Sequence, residues 1–258
     1  MMLISPEKKY KDDLFSLWKT CFGDEDGYID LFFNKEYEHC KTFARFENER
    51  IVSALYLLDC FISLDGKRYD GTYLYAAATR PENRKQGHMA ALIKEAQQFA
   101  EKEGKAFISL VPGEEWLYSY YRKFGFEKEM YKYRTETETG LPVRRKEIDC
   151  KDYLSYRLSS LQNALQFEKT EFAYVADCYA YSDTGFWNDG GHFIISDGKT
   201  VFEILGSGNY GGEEKAVFGM SPVSDKSEKL VFGQLYFTSE KTAKIFEKAE
   251  IYMNNALD

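Results

Sequence analysis

No apolar run in this chain reaches the roughly 20 residues that a membrane-spanning helix needs. The first residues, Met1-Met2-Leu3-Ile4-Ser5-Pro6-Glu7, lack the basic stretch followed by an apolar one that marks an export signal. Both absences lead to the expectation of a cytoplasmic protein with no membrane partner. Cysteine is sparse: Cys21, Cys40, Cys60, Cys150 and Cys178 are five, widely separated and without a Cys-x-x-Cys pair. That argues against a disulfide framework and against a zinc site, so no metal is expected. His39-Cys40 is an isolated pair of soft ligands with nothing nearby to complete a site. Positive charge is in deficit, with 34 Lys and Arg against 42 Asp and Glu, a net −8. Nucleic acid and anionic membrane are therefore disfavoured as partners. The same balance is compatible with a cationic substrate, and equally with the ordinary needs of solubility.

What remains is the composition of an ordinary soluble protein, 44% hydrophobic and 29% charged over 258 residues. That length suggests one large or two small domains. Twenty Tyr, 20 Phe and 3 Trp suit aromatic-rich sheets and core.

The apolar pattern predicts an α/β (α+β) chain. Ser5-Pro6 reads as a helix start, and Tyr10, Leu14, Leu17, Trp18 and Cys21 recur at helical spacing up to Gly23. A second helix is expected over Glu25 to Phe33. Thr42–Phe46, Ile51–Leu64 and Arg68–Thr79 follow as an antiparallel meander, broken by Glu47-Asn48-Glu49 and by the hairpin signal Asp65-Gly66. Met89, Leu92, Ile93, Ala96, Phe99 and Ala100 share a helix face that Gly104 ends, and Lys105–Val111 is a buried-looking strand. Strand, crossover helix and strand imply parallel pairing. A short helix over Glu114–Lys123 and a strand over Phe126–Thr135 complete this half. Thr135-Glu136-Thr137-Glu138-Thr139-Gly140-Leu141-Pro142 is polar and turn-rich, which divides the chain into 1–135 and 136–258. Beyond it, Leu154, Leu158, Leu161 and Leu165 predict a helix, His192–Ser196 and Lys199–Leu205 a hairpin about Asp197-Gly198, and Lys241–Asn255 a last helix. Gly206-Ser207-Gly208-Asn209-Tyr210-Gly211-Gly212 reads as a flexible loop.

The stretch Ala78-Thr79-Arg80-Pro81-Glu82-Asn83-Arg84-Lys85-Gln86-Gly87-His88-Met89-Ala90 carries the most chemistry. It leaves a strand, crosses a polar loop and opens a helix. Free backbone amides at a helix N-terminus make an anion site, and Gly87 lets a ligand approach the backbone. Further on comes Tyr121-Arg122-Lys123-Phe124-Gly125-Phe126. Together these resemble the two signatures of the GNAT superfamily, the acetyl-CoA-dependent N-acetyltransferases. In that family the loop reads Arg/Gln-x-x-Gly-x-Gly/Ala, and a Tyr precedes a hydrophobic-Gly-Phe/Tyr triplet. Met89 departs from the pattern, standing where Gly or Ala is usual. The element order of the first 135 residues is also the GNAT order. The second half, with Gly-His-Phe-Ile-Ile and the closing Tyr-Met-Asn-Asn-Ala-Leu-Asp, is similar to the bacterial group related to enhanced-intracellular-survival acetyltransferases. The expected fold is therefore a GNAT domain with a mixed central sheet, followed by a smaller degenerate GNAT-like α+β domain.

The resemblance implies a set of roles. Ala77, Ala78 and Thr79 would line the pantetheine arm of acetyl-CoA, the cosubstrate, and Arg84, Lys85, Gln86, Gly87, His88, Met89 and Ala90 its pyrophosphate. Tyr121 matches the tyrosine that faces the sulfur and is the expected general acid, with Tyr120 the rival by one residue of register. The acceptor would be a small-molecule or peptide amine. Glu36, Glu38, Glu114 and Glu115 all stand as possible bases, and each residue type is more often simply solvated. The terminal carboxylate of Asp258 is a further option by analogy with the same group. His88 is expected to face solvent or phosphate, and His192 to open a strand without a partner. Two competing functions stay open: a non-catalytic acyl-CoA-binding regulatory module, and an aminoacyl or other acyl transferase of the tandem-GNAT type.

Overall fold

The computed structural model describes residues 2–4, 8–136, 144–206, 210, 212, 216–221 and 227–254. In chain order the elements are β1 (Met2–Ile4), α1 (Lys8–Phe22), α2 (Asp26–Lys35), β2 (Lys41–Glu47), β3 (Arg50–Leu64), β4 (Lys67–Thr79), α3 (His88–Lys102), β5 (Phe107–Leu110) and α4 (Glu115–Arg122). There follow β6 (Lys128–Glu136), β7 (Lys146–Glu147), α5 (Cys150–Ser160), β8 (Ala164–Phe167), α6 (Lys169–Tyr181), β9 (Gly185–Asn188), β10 (His192–Ser196), β11 (Thr200–Gly206), β12 (Ala216–Gly219), β13 (Glu228–Phe237), α7 (Glu240–Phe246) and β14 (Ile251–Tyr252).

These elements form two compact units. The first comprises Met1–Phe61, Tyr69–Lys128 and Leu235–Glu247, and the second Ile62–Arg68, Glu129–Gln234 and Lys248–Asp258. The single boundary at 135/136 read from the sequence does not describe this division, because long strands are shared. Residues 62–64 of β3 belong to the second unit, and residues 235–237 of β13 to the first. The polar stretch 137–142 that suggested the boundary lies outside the described residues.

In the first unit the strand order is β1-β2-β3-β4-β5, with the end of β13 beyond β5. Leu14, Leu17 and Trp18 of α1 and Ile29, Phe32 and Phe33 of α2 are buried, as their spacing predicts. From Ile51 to Leu58 every residue of β3 is buried, the mark of a strand covered on both faces. The turn Asn48-Glu49 has both φ angles positive, at 48° and 64°, and Asp65-Gly66 likewise, at 50° and 71°. Such turns twist with the strands they join, which is why Asp-Gly was a sound hairpin signal. β4 and β5 are parallel, with Gly71 opposite Phe107 and Tyr73 opposite Ser109. A Cβ on Gly71 would lie 2.4 Å from the Phe107 ring, so the glycine is what lets that ring cross β4.

In the second unit the order is β13-β6-β12-β11-β10-β9-β7, and β14 pairs in parallel with β6 and β8. The β10–β11 hairpin forms where the sequence placed it, with the Asp197 carboxylate accepting from the Lys199 and Thr200 amides at 2.8 Å each. Two expectations need correction. Leu165 is in β8, not in the preceding helix, which ends at Ser160. The final helix stops at Phe246 instead of continuing to Asn255. Phe246 is fully buried in the first unit, while Ile251 and Tyr252 find strand partners in the second. Ladder bonds to Asn163 (2.8 Å) and Tyr131 (3.0 Å) win over helical continuation. Helix α6, with Phe172, Val175 and Ala176 buried, was not anticipated.

A buried ion pair knits this unit. Glu203 of β11 accepts from Arg157 Nε at 2.9 Å, from the Tyr153 hydroxyl at 2.6 Å and from the Tyr252 hydroxyl at 2.8 Å. Burial alone raises the Glu203 carboxyl. The Arg157 charge and these hydrogen bonds outweigh it and leave the group below its ordinary value. Removing one member strands the others in the interior. Glu203→Ala is expected to lower the unfolding free energy by about 3–5 kcal/mol. The double change Arg157→Met with Glu203→Leu should recover much of that loss, as read from guanidinium titrations of both variants. A double variant no better than the single one would show that the packing, not the stranded charge, carries the cost.

Candidate functional site

The chemistry expected of this chain converges on the last residues of β4, and the structure explains why they are special. Pairing with β5 runs from Gly71 to Tyr73, and β4 then continues to Thr79 beside a β5 that ends at Leu110. Ala76 has φ +45°, uncommon for any residue but glycine and a kink within a strand. The kink gives the strand end two different walls. Ala77 packs against the cluster of Leu92, Ile93, Leu110, Phe126 and Tyr121 on the α3–α4 side. Ala76 and Ala78 instead line a narrow cleft with Leu14, Leu17, Trp18 and Phe22 of α1 and Ala54 and Tyr56 of β3. Ser53 fixes the strand from its neighbour, donating to the Ala78 carbonyl at 2.9 Å and meeting the Thr79 hydroxyl at 2.8 Å.

The loop that follows is tied at both ends. Arg80 is 1% exposed; its Nε donates to the Ile51 carbonyl at 2.9 Å and its Nη2 to Asp13 Oδ1 at 2.8 Å. A short 3₁₀ turn covers Pro81–Asn83. The Thr79 carbonyl accepts from Arg84 Nε at 3.1 Å and from the Cys21 thiol at 3.3 Å. Burial lifts that thiol above its ordinary value despite the neighbouring Arg84 and Arg80 charges. Lys85 and Gly87 adopt φ +63° and +85°, and nothing lies within 4 Å of where a Gly87 Cβ would stand. Glycine is required there by the backbone, and the space above it is open. The first bond internal to α3 runs from the Ala91 amide to the Gly87 carbonyl at 3.1 Å, so the amides of residues 87 to 90 have no acceptor within the helix. Gln86 donates to the Glu82 carbonyl at 3.2 Å. Met89 packs against the apolar cluster below the helix, which is how its bulk is tolerated where the loop pattern asks for a small residue.

His88 is not where the sequence reading put it. Its ring is buried, 7% exposed, with Nε2 3.1 Å from Glu47 Oε1. Glu47 accepts a hydrogen bond from Asn83 Nδ2 at 2.8 Å. One carboxylate at the end of β2 thus bonds the loop before its turn and stands close to the buried His88 ring after it, where neither ring nitrogen makes a hydrogen bond. No spacing in the sequence signals this, because the partners stand 36 and 41 positions away. His192, expected to lack a partner, has Nδ1 3.0 Å from Asp189 Oδ2.

Tyr121 faces the same cluster as Ala77 and is 7% exposed. Burial first, and neighbouring Tyr120 second, push its phenol well above the ordinary tyrosine value. Tyr120 is half-buried and raised by burial alone. Of the carboxylates considered as bases, Glu38, Glu114 and Glu115 are exposed, whereas Glu36 is 1% exposed at the end of α2. Asp258 lies outside the described residues. Among the described residues no cluster of three or more His, Cys, Asp or Glu is placed to hold a metal. No helix among them is long and apolar enough to cross a membrane.

A family model described as the acetyltransferase (GNAT) domain matches residues 4–128. No curated protein matches the chain in sequence. Solved structures share its fold at low identity. A protein from Enterococcus faecalis V583, described as a probable N-acyltransferase, superimposes with a TM-score of 0.69 at 15% identity, over 92% of this chain and 72% of its own. A GCN5-related N-acetyltransferase from Kribbella flavida gives 0.68 at 15%, over 94% and 73%. Eis1 from Mycobacterium abscessus gives 0.69 at 10%, over 93% and 74%. At such identities the likeness is one of fold.

The Glu47 clamp can be tested without any ligand. A hydrogen bond to a charged group contributes about 1.5–3 kcal/mol, so Glu47→Ala should speed amide exchange across residues 83–88 by about tenfold or more. The exchange of β3 should stay unchanged. Equal protection in the loop of both proteins would mean that the bonds of Arg80, Arg84 and Gln86 order it without Glu47.

Proposed function

We propose, from the premise that residues 4–128 are a GNAT acetyltransferase domain, that the chain moves an acetyl group from acetyl-CoA directly to a primary amine. The observation that carries this reading is the end of β4, which leaves β5, kinks at Ala76 and feeds a loop whose amides open α3. Acetyl-CoA supplies an activated thioester. The chain's own groups supply the rest. Amides of residues 87 to 90 face an anion without an intrahelical competitor, and the open space over Gly87 fits a pyrophosphate. The β5-facing edge of residues 74–79 offers backbone groups to the pantetheine arm and to the thioester oxygen, where a well-placed donor is worth about 2.7–4 kcal/mol. Small side chains at 76, 77 and 78 keep that edge accessible.

Tyr121 completes the set on the α4 side. A thiol resembling cysteine has a pKa of about 8.5, so even an ordinary phenol near 10 gives up its proton uphill by about 2 kcal/mol. Burial widens that gap. Tyr121 therefore acts as a hydrogen-bond donor to the departing sulfur, and full transfer belongs to the last stage of C–S cleavage. The second unit, in this reading, is a degenerate GNAT-like domain whose sequence has no phosphate loop of its own.

Two experiments test this. Calorimetry with acetyl-CoA should give weaker binding for Gly87→Glu than for Gly87→Ala by about tenfold or more. Alanine adds only the backbone strain, while glutamate adds charge against the phosphates. Equal affinities in the two folded variants would remove the pyrophosphate from this loop. Tyr121→Phe should lower kcat by about 10²-fold with little change in acetyl-CoA affinity. Because the phenol's pKa is raised, it stays protonated through the alkaline range. Wild-type kcat/KM should climb with pH as the amine loses its proton, with no downward limb near pH 10. A loss in Tyr120→Phe but not in Tyr121→Phe would move the role by one residue.

A further inference from the structure

His88 is the first residue of α3, so its amide is one of those without an acceptor in the helix, while its ring is buried. Buried polar side-chain atoms are as a rule hydrogen-bonded. Here neither Nδ1 nor Nε2 makes a hydrogen bond, and both are shut off from solvent. A neutral imidazole carries one N–H and one lone pair, so either tautomer strands a donor and an acceptor. Glu47 Oε1 stands 3.1 Å from Nε2, close enough for an ion pair but off the line of a hydrogen bond. The other oxygen of that carboxylate is occupied by Asn83. The remaining charges around the ring are engaged elsewhere or distant. Arg50, opposite Glu47 across the β2–β3 hairpin, has its guanidinium 3.8 Å from Glu82 and 4.0 Å from Asp13. On the loop, Arg84 donates to the Thr79 carbonyl and Lys85 is exposed. On α3 itself the next charged residues, Lys94 and Glu95, lie about 9–10 Å further along the axis.

Resting on the acetyltransferase reading above, we infer that His88 links acetyl-CoA binding to a proton: the ring takes one up when the pyrophosphate settles on the amides of residues 87 to 90. In the empty protein two fields oppose each other at the ring. The Glu47 carboxylate favours the imidazolium, and the positive end of α3 disfavours it. An anion at the helix start cancels the second and adds to the first. The protonated ring has a donor on each nitrogen, and a small rotation brings the one on Nε2 into line with Glu47 Oε1. The proton comes from solvent, and no covalent bond changes. Because the complex holds this proton more tightly than the free protein does, affinity is greatest at low pH. It falls as pH rises through the range in which imidazoles lose their charge. Capture of the cosubstrate thus weakens over the range in which the acceptor amine becomes reactive, and the two pH dependences oppose each other.

The test is calorimetry of acetyl-CoA binding to the full chain at pH 7 in two buffers of different ionisation enthalpy, which counts the protons taken up. The 3′-phosphate of acetyl-CoA also titrates near neutral pH, so the quantity that matters is wild type minus His88→Gln. Wild type should take up more protons than this variant. From pH 6 to pH 8 its Kd should rise about three- to tenfold more than that of the variant. Glu47→Gln removes the charge and keeps a partner for Asn83, at a side chain that is partly exposed. It should likewise take up fewer protons than wild type at pH 7, and it carries the test if His88→Gln does not fold. Equal proton counts and parallel pH dependences in wild type and the folded variants overturn the linkage and leave the acetyltransferase reading standing. Failure of the wild type to bind acetyl-CoA at any pH overturns the reading on which the linkage rests.

Discussion

A guanidinium in a protein interior has to be met by acceptors on its own terms, since its charge cannot be given up. Arg80 is in that position at the exit of β4. Its side chain reaches the Ile51 carbonyl and the Asp13 carboxylate, its amide donates to the Val52 carbonyl at 2.9 Å, and Asp13 in turn takes the Ile51 amide at 2.5 Å. Three elements, α1, β3 and β4, are pinned at one point. The place where the strand stops and the loop begins is thereby fixed. So is the distance from α1 to β4, which sets the width of the cleft beneath Trp18. The loop, the helix start and both walls of the strand end inherit their positions from this joint.

The kink at Ala76 then divides labour across a single strand. One side carries apolar packing and a phenol kept neutral by burial, and the other an uncharged cleft. Where the chain does bury a carboxylate with full compensation, at Glu203, it does so in the second unit and for cohesion. The first unit uses its carboxylates Asp13 and Glu47 as brackets on backbone and loop.

Much of this was legible because it is local. Asp65-Gly66 announces a turn that requires positive φ at both positions, and the face Leu92, Ile93, Ala96 and Ala100 announces a helix that buries it. Gly87 and the tyrosine at 121 were visible as members of short patterns. What escaped depends on residues far apart in sequence. Glu47 has no feature of its own until Asn83 and His88 are folded against it. The apolar residues between Ile245 and Met253 have helical spacing, yet Phe246 and Tyr252 answer to different units. A boundary drawn at a polar stretch could not foresee that β3 and β13 each serve both.

The bracket formed by Glu47 has a thermodynamic meaning for the segment it encloses. Ordering one residue of backbone costs about 1–2 kcal/mol in lost entropy. Between Asn83 and His88 that cost is met during folding, by contacts to β2, and does not fall due when an anion arrives. A site ordered in advance surrenders little freedom on association, so the contacts it makes appear almost undiminished in its affinity.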